Sequence, residues 1–338
     1  MQRIVHTGHG EPAKVLRLEA LSDASPLAGG MARVRVSATP VHPGDLLGVS
    51  ASPAFGAPPV IPRGGRVPGV EGVGVVEALA AGIDPSHPVQ VGSRVAFLSA
   101  NGAWSSRIAA PVQSLIPVPD EVGDEVAAQM SINTLTARLA MRAGHNALPE
   151  DKRTDVTVIQ TAANSAVGKL LTHLLIEVGV NPILLAGSAA SAQALKAARP
   201  NLPVIATENP GWKGELRDAV AKKSVYVAFD GVGGSLLPDV AGFLARGGAI
   251  ISYGSLGGAQ TDIRSIAPQA LTIKGVSLFS WQFEPAAVRN ADLAKALELA
   301  HNFPSLFPVA ERYPAADYLA ALEHAGRRGK TGTVLLAF

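Results

Sequence analysis

Cysteine is absent from this 338-residue chain. Its absence excludes disulfides, thiolate catalysis and any zinc site built on cysteine. Charge is also scarce: Asp, Glu, Lys and Arg make up 17% of the residues, and the formal net charge is +2. No block of Lys and Arg is long enough to mark a nucleic-acid or acidic-membrane surface. The densest basic group, Arg327, Arg328 and Lys330, reads as a solvated loop ahead of the last strand. No apolar run reaches the ~20 residues that a spanning helix needs. The strand-like start, Gln2-Arg-Ile-Val5, shows no charged leader before an apolar core, so no signal peptide is expected. The expectation is a soluble, cytoplasmic protein that needs neither nucleic acid nor membrane.

What is present fits a compact, loop-rich enzyme: 47% hydrophobic residues, 35 glycines and 25 prolines. At about 150 residues per domain, roughly two domains are expected. The chain up to about residue 120 reads as β-rich. Val34, Val36 and Ala38 alternate with Arg33, Arg35 and Ser37, which gives one buried and one wet strand face. Val73, Val75 and Val76 predict a second strand, and Ser93–Leu98 a third. The segment Ser50–Pro68 carries five prolines and three glycines and must be a long loop.

From about residue 120 the texture changes. Helices are expected over Asp124–Ala143. Six strand-like runs follow: Val156–Gln160, Ile183–Ala186, Val204–Ala206, Val225–Phe229, Ala249–Tyr253 and Leu271–Leu278, with helical stretches between the first five. After Gly168, the positions Leu170, Leu171, Leu174, Leu175 and Val178 repeat at helical spacing and should cover one face of a sheet. Leu216, Val220 and a helix near Leu236–Leu244 should do the same. Apolar strands alternating with helices predict an α/β domain with a doubly wound, parallel, six-stranded Rossmann sheet. A helix over Ala315–Ala325 and a strand Thr333–Leu336 should return to the β-rich domain. The expected division is residues 1–123 with 304–338, and residues 124–303.

The run Asp155–Gly168 reads as a buried strand, a small-residue turn and a helix start. That geometry offers free backbone N–H groups and the positive end of a helix dipole to a pyrophosphate. The glycines usual in such a turn are replaced by Ala163 and Ser165, and Gly168 alone stands in place. An ordinary strand–helix corner would read the same way on this segment alone.

The segments Val41–Asp45, Pro68–Gly74, Asn133–Ala137, Phe229–Gly234 and Arg246–Gly254, taken together and in this order, resemble the medium-chain dehydrogenase/reductase superfamily over nearly the whole chain. Val41-His-Pro-Gly-Asp45 is similar to the family's "N-P-S-D" turn, with His42 in place of asparagine. Pro68-Gly-Val-Glu-Gly-Val-Gly74 resembles the "P-G-x-E-G-x-G" segment of its zinc-free quinone-reductase branch. Asn133–Ala137, Phe229–Gly234 and Arg246–Gly254 are further landmarks. Val158–Gly168, with its "N-S-x-V-G" turn, and Leu271–Trp281 look most like the mitochondrial-type 2-enoyl thioester reductases. The resemblance implies a β-rich, GroES-like catalytic domain beside the Rossmann domain. It also implies NADPH-dependent reduction of a carbon–carbon double bond conjugated to a thioester carbonyl.

On that resemblance the cofactor-binding residues are expected to be Asn133, Thr136, Ala163, Asn164, Ser165, Ala166, Val167, Gly187, Ser188, Gly231, Tyr253, Phe279 and Trp281. His42, Asn133 and Tyr253 are the candidate catalytic residues. His42 is a proton donor or, more readily, a residue that satisfies its own turn. The substrate should lie at the carboxyl ends of the strands, between the domains, bordered by Val41–Asp45 and the Ser50–Pro68 loop. The branch's loop tyrosine is missing. The four tyrosines are Tyr226, Tyr253, Tyr313 and Tyr318, and the loop contains only Phe55. Zinc-dependent relatives carry a histidine where this chain has Val70, and the eight histidines are scattered, with only His6 and His9 close, as a surface pair. No metal is expected, so a polarised acceptor is: an enoyl thioester or enone, alternatively a quinone. A NADPH-binding protein without turnover is the reading of another class.

Cofactor choice is read at the end of the second strand. Leu185-Ala-Gly-Ser188 carries no acid there, and none appears before Glu208. NADPH over NADH by at least about tenfold is expected. Lys196 and Arg199 stand in for the missing adjacent arginine, or face solvent. The sixth strand, as an apolar sheet edge, predicts a homodimer.

Overall fold

The computed structural model describes all residues except 22–25, 54–55, 99–101, 154–155, 222, 259, 265 and 328. Asp155, Phe55 and Arg328 therefore lie outside the described residues. The chain divides into two compact units, Met1–Ile132 with Lys295–Phe338, and Asn133–Ala294. The expected boundaries at 123 and 304 are displaced, for one physical reason. The division falls inside two long helices, Met130–Ala147 and Ala286–Asn302, and the change of texture in the sequence marks helix starts rather than the division.

In the first unit the strand Met31–Pro40 is central. It pairs with Glu71–Leu79, Arg107–Pro111 and Thr333–Ala337, all antiparallel. The sheet extends through Arg94–Leu98 to Leu115–Pro117 on one side and to Val309–Pro314 on the other. Val34, Val36 and Ala38 are fully buried, whereas Arg35 is exposed, as alternation on a half-wet strand requires. The hairpin Gln2–His6/Leu16–Ala20 supplies Ile4 and Leu16 to a core that also holds Val41, Trp104 and Leu336. The helix Tyr318–Gly326 precedes the closing strand Thr333–Ala337.

The second unit is a parallel sheet in the order Val204–Ala206, Ile183–Ala186, Val158–Gln160, Val227–Asp230, Ala249–Ser252, Thr272–Gly275. This is the third-second-first-fourth-fifth-sixth arrangement of a complete dinucleotide-binding sheet. Its inner strands are buried on both faces, which is why they read as unbroken apolar runs. Leu170, Leu171, Leu174 and Leu175 are buried, but Val178 is 60% exposed, because the helix Ala166–Glu177 has ended and Val178 is its C-cap. The sixth strand is shorter than expected. It spans Thr272–Gly275, all four residues are exposed, and Leu278–Trp281 forms a helical turn capped by Ser277.

Candidate active site

In the second unit, the first strand ends at Gln160 and the chain turns through Ala162 into the helix that starts at Ala166. Ala162 takes a positive φ of 49°, a conformation that a side chain disfavours and that concentrates at functional turns. Ser165 caps the helix: its Oγ accepts from Gly168 N–H at 2.9 Å. The N–H groups of Ala166 and Val167, at the helix start, have no intrahelical acceptor and are the donors that an anion would meet. Gly168 packs against the turn so closely that a Cβ there would stand 2.3 Å from Ala162 O and 2.8 Å from Ala163 O.

The turn after the fourth strand is organised by Asp230, which is 1% exposed. Thr161 Oγ1 donates to Asp230 Oδ1 at 2.6 Å, Val232 N–H to Oδ1 at 3.1 Å, and Gly233 N–H to Oδ2 at 2.9 Å. Tyr253 closes over this turn. Its hydroxyl donates to Thr161 O at 3.2 Å, and its ring would lie 2.6 Å from a Cβ on Gly231. Burial, reinforced by the Asp230 charge, pushes the Tyr253 phenol well above its ordinary pKa. The hydroxyl of Tyr253, a candidate catalytic residue, is thus held by a main-chain carbonyl. Asn133 differs. It is 5% exposed, and its Nδ2 has no hydrogen-bond partner among the described residues. A buried amide donor left unpaired costs free energy unless a ligand takes it up.

Thr136 is half-buried on the same helix as Asn133. Further along it, Arg138 and Arg142 clamp the fully buried Asp292, at 2.7 Å each to Oδ1, and Trp281 Nε1 donates to Oδ2 at 3.0 Å. One carboxylate thus ties the helix of Asn133 and Thr136 to the turn of Phe279 and Trp281. Phe279 is 65% exposed. Gly187 is exposed and Ser188 half-buried at the start of the helix Ala189–Ala198.

In the first unit, the candidate donor His42 is 9% exposed and caps the helix Pro43–Val49. Its backbone N–H donates to Asp45 Oδ2 at 3.1 Å, and its Nε2 lies 2.6 Å from Glu71 Oε1. The second Glu71 oxygen accepts from Ser131 N–H at 3.1 Å and Ile132 N–H at 2.9 Å. Both N–H groups lie in the first turn of the helix Met130–Ala147. Burial acts to lower the His42 pKa, but the Glu71 hydrogen bond and charge, with the Asp45 charge, outweigh it, so the value is raised. Burial raises the Asp45 carboxyl, against the His42 charge.

Two sequence expectations need correction here. Lys330 is half-buried rather than solvated; burial lowers its pKa, and its charge acts on His42. His6 is fully buried within a strand, with Nδ1 3.0 Å from Gly8 O, so it and His9 are not a surface pair. The roles of Glu71, Asp230 and Asp292 were not read from the sequence. For Glu71 the signal was its apolar flanks, Gly69-Val70 and Gly72-Val73, which place a carboxylate where only a paired one survives.

These features define a class: a two-unit α/β protein with a complete dinucleotide-binding sheet and a β-rich partner unit. No family model matches the chain. It is 27% identical over 336 residues to the mitochondrial enoyl-[acyl-carrier-protein] reductase of Bos taurus, which covers 96% of this chain and 85% of the relative. Among solved structures, a mycobacterial protein complexed with NADPH superposes with a TM-score of 0.83 at 27% identity, over 100% of both chains. The Escherichia coli quinone oxidoreductase complexed with NADPH has the same fold, with a TM-score of 0.83 at 23% identity over 100% of both chains. The chain's relatives are mitochondrial enoyl-[acyl-carrier-protein] reductases and a probable quinone oxidoreductase, and its fold is that of solved NADPH:quinone reductases.

Proposed function

We propose that the chain is a zinc-independent, NADPH-dependent reductase of an activated carbon–carbon double bond, an enoyl thioester or a related enone. The observation that carries this reading is the turn Ala162–Ser165, whose unspent N–H groups at Ala166 and Val167 suit a pyrophosphate. The unpaired Nδ2 of Asn133 in the same unit suits the carboxamide end of such a cofactor. When bound, the cofactor supplies a hydride to the β-carbon of the conjugated bond. The electron pair displaced to the carbonyl oxygen is then recovered by a proton at the α-carbon. His42 Nε2 is engaged by Glu71 and the Tyr253 hydroxyl by Thr161, which favours water as the source of that proton. With reductant deuterated at C4 and a crotonyl thioester, the butyryl product should carry one deuterium at the β-carbon. In heavy water with unlabelled reductant the label should move to the α-carbon. Product without β-label would contradict the reading.

A quinone acceptor is the second reading, favoured by the missing loop tyrosine, since reducing a quinone requires no protonation at carbon. Zinc independence rests on the missing cysteines and on Val70, and Glu71 is already committed to His42 and two backbone donors. Elemental analysis should therefore find no stoichiometric zinc, and exhaustive chelation should leave turnover unchanged; chelator-sensitive turnover with bound zinc would contradict it. A cytoplasmic location and a homodimer belong to the same proposal. The exposed edge strand Thr272–Gly275, followed by Phe279 and Phe283 at 65% and 81% exposure, supports the dimer, and light scattering tests it.

A further inference from the structure

The second and third strands of the parallel sheet end level, with Ala186 opposite Ala206. Thr207 N–H donates to Ala186 O at 2.8 Å, so the chain leaving the third strand folds over the end of the second. That brings the Glu208 carboxylate onto Ala189 N–H, at the first residue of the helix Ala189–Ala198. The neighbouring cap, Ser188, spends its Oγ lone pair on Ser191 N–H at 3.2 Å. The acid that the sequence lacks after the second strand is thus supplied by the turn after the third. Among the described residues Glu208 makes no salt bridge; residues 187–192 read Gly-Ser-Ala-Ala-Ser-Ala, and Lys196 lies exposed two turns along the helix.

We infer that Glu208 is a specificity-determining residue for the dinucleotide, holding down the preference for NADPH over NADH that Gly187-Ser188 alone would confer. The inference rests on reading this unit as a dinucleotide site, to which the buried, unpartnered Asn133 amide points independently. In this fold the adenosine ribose lies at the end of the second strand, where an acid receives its 2′-hydroxyl and repels a 2′-phosphate. Glu208 places its negative charge there and also occupies the helix N–H that a phosphate would use. The chain accordingly discriminates between the two reductants by less than the tenfold expected from the second turn by itself, and NADH is a usable reductant.

The test is calorimetric binding of NADPH, NADH, 2′,5′-ADP and 5′-ADP to the full chain and to Glu208→Gln. The glutamine keeps an acceptor oxygen for Ala189 N–H and removes the charge, and an unchanged unfolding midpoint reports that the helix start survives. Glu208→Gln should bind NADPH and 2′,5′-ADP about tenfold more tightly, the size of one partly screened like-charge contact, with NADH and 5′-ADP within about twofold. Should all four bind with unchanged ratios, or should the phosphorylated pair weaken, the role of Glu208 is overturned while the dinucleotide site stands. If none binds either protein, the dinucleotide reading falls, and the role of Glu208 with it.

Discussion

Glu71→Ala is expected to remove about 3–5 kcal/mol of stability in equilibrium denaturant unfolding, the cost of breaking a buried pair by deleting one partner. The loss has two parts. His42 keeps its buried position without the carboxylate 2.6 Å away, and the N–H groups of Ser131 and Ile132 lose their acceptor. Glu71→Gln retains an acceptor for the helix and should lose less. A Glu71→Ala variant within about 1 kcal/mol of the parent, the range of an ordinary substitution, would show that the carboxylate is not what holds these elements. The same pair fixes a pH dependence. The His42 pKa is raised in the folded chain above the ordinary 6.5. Its contribution to stability is therefore complete below 6.5 and is lost as the pH rises through the folded value. The stability difference between the parent and His42→Asn should thus be largest near pH ~6 and shrink towards pH ~9. The reading in which His42 only positions its turn predicts that His42→Asn keeps its turnover; a roughly 100-fold loss with NADPH binding intact would make His42 the proton donor.

The second large effect belongs to Gly168. Gly168→Val is expected to weaken NADPH binding by about 100-fold, because the clash at 2.3 Å is with the main-chain oxygen of Ala162 and cannot be relieved by a side-chain rotation. The turn has to move, and overpacking of that kind costs about 1–3 kcal/mol, which here falls on the segment presenting Ala166 and Val167 N–H. Fluorescence titration of the variant measures it. Affinity within about threefold of the parent, under 1 kcal/mol, would mean that the turn does not carry the cofactor.

How much of this was legible in the sequence follows from what each signal depends on. The parallel sheet was legible because strands buried on both faces, such as Ile183–Ala186 and Val227–Asp230, must be apolar throughout. The strand, small-residue turn and helix start of Val158–Ala166 were legible despite the missing glycines at Ala163 and Ser165, and the turn places Ala162 in the left-handed conformation. Element ends were less so: Val178 continues the apolar spacing past the end of its helix, and Leu278 continues a strand-like run into a helical turn that Ser277 caps. The division was misplaced because two helices run through it. What the sequence hid most completely were pairings over long separations. Glu71 reaches Ser131 and Ile132, Asp292 reaches Arg138 and Arg142, and Glu208 reaches Ala189. No local spacing announces such partners; they exist only once the strands are ordered side by side.

The central claim is that this chain transfers hydride from a reduced nicotinamide to a polarised acceptor. Steady-state loss of reduced-nicotinamide absorbance with crotonyl thioester, simple enones and quinones tests it most directly. The account predicts turnover, fastest with the thioester or an enone, and a product reduced at the carbon–carbon double bond. Reductant that binds but is consumed with none of the three acceptors would contradict it.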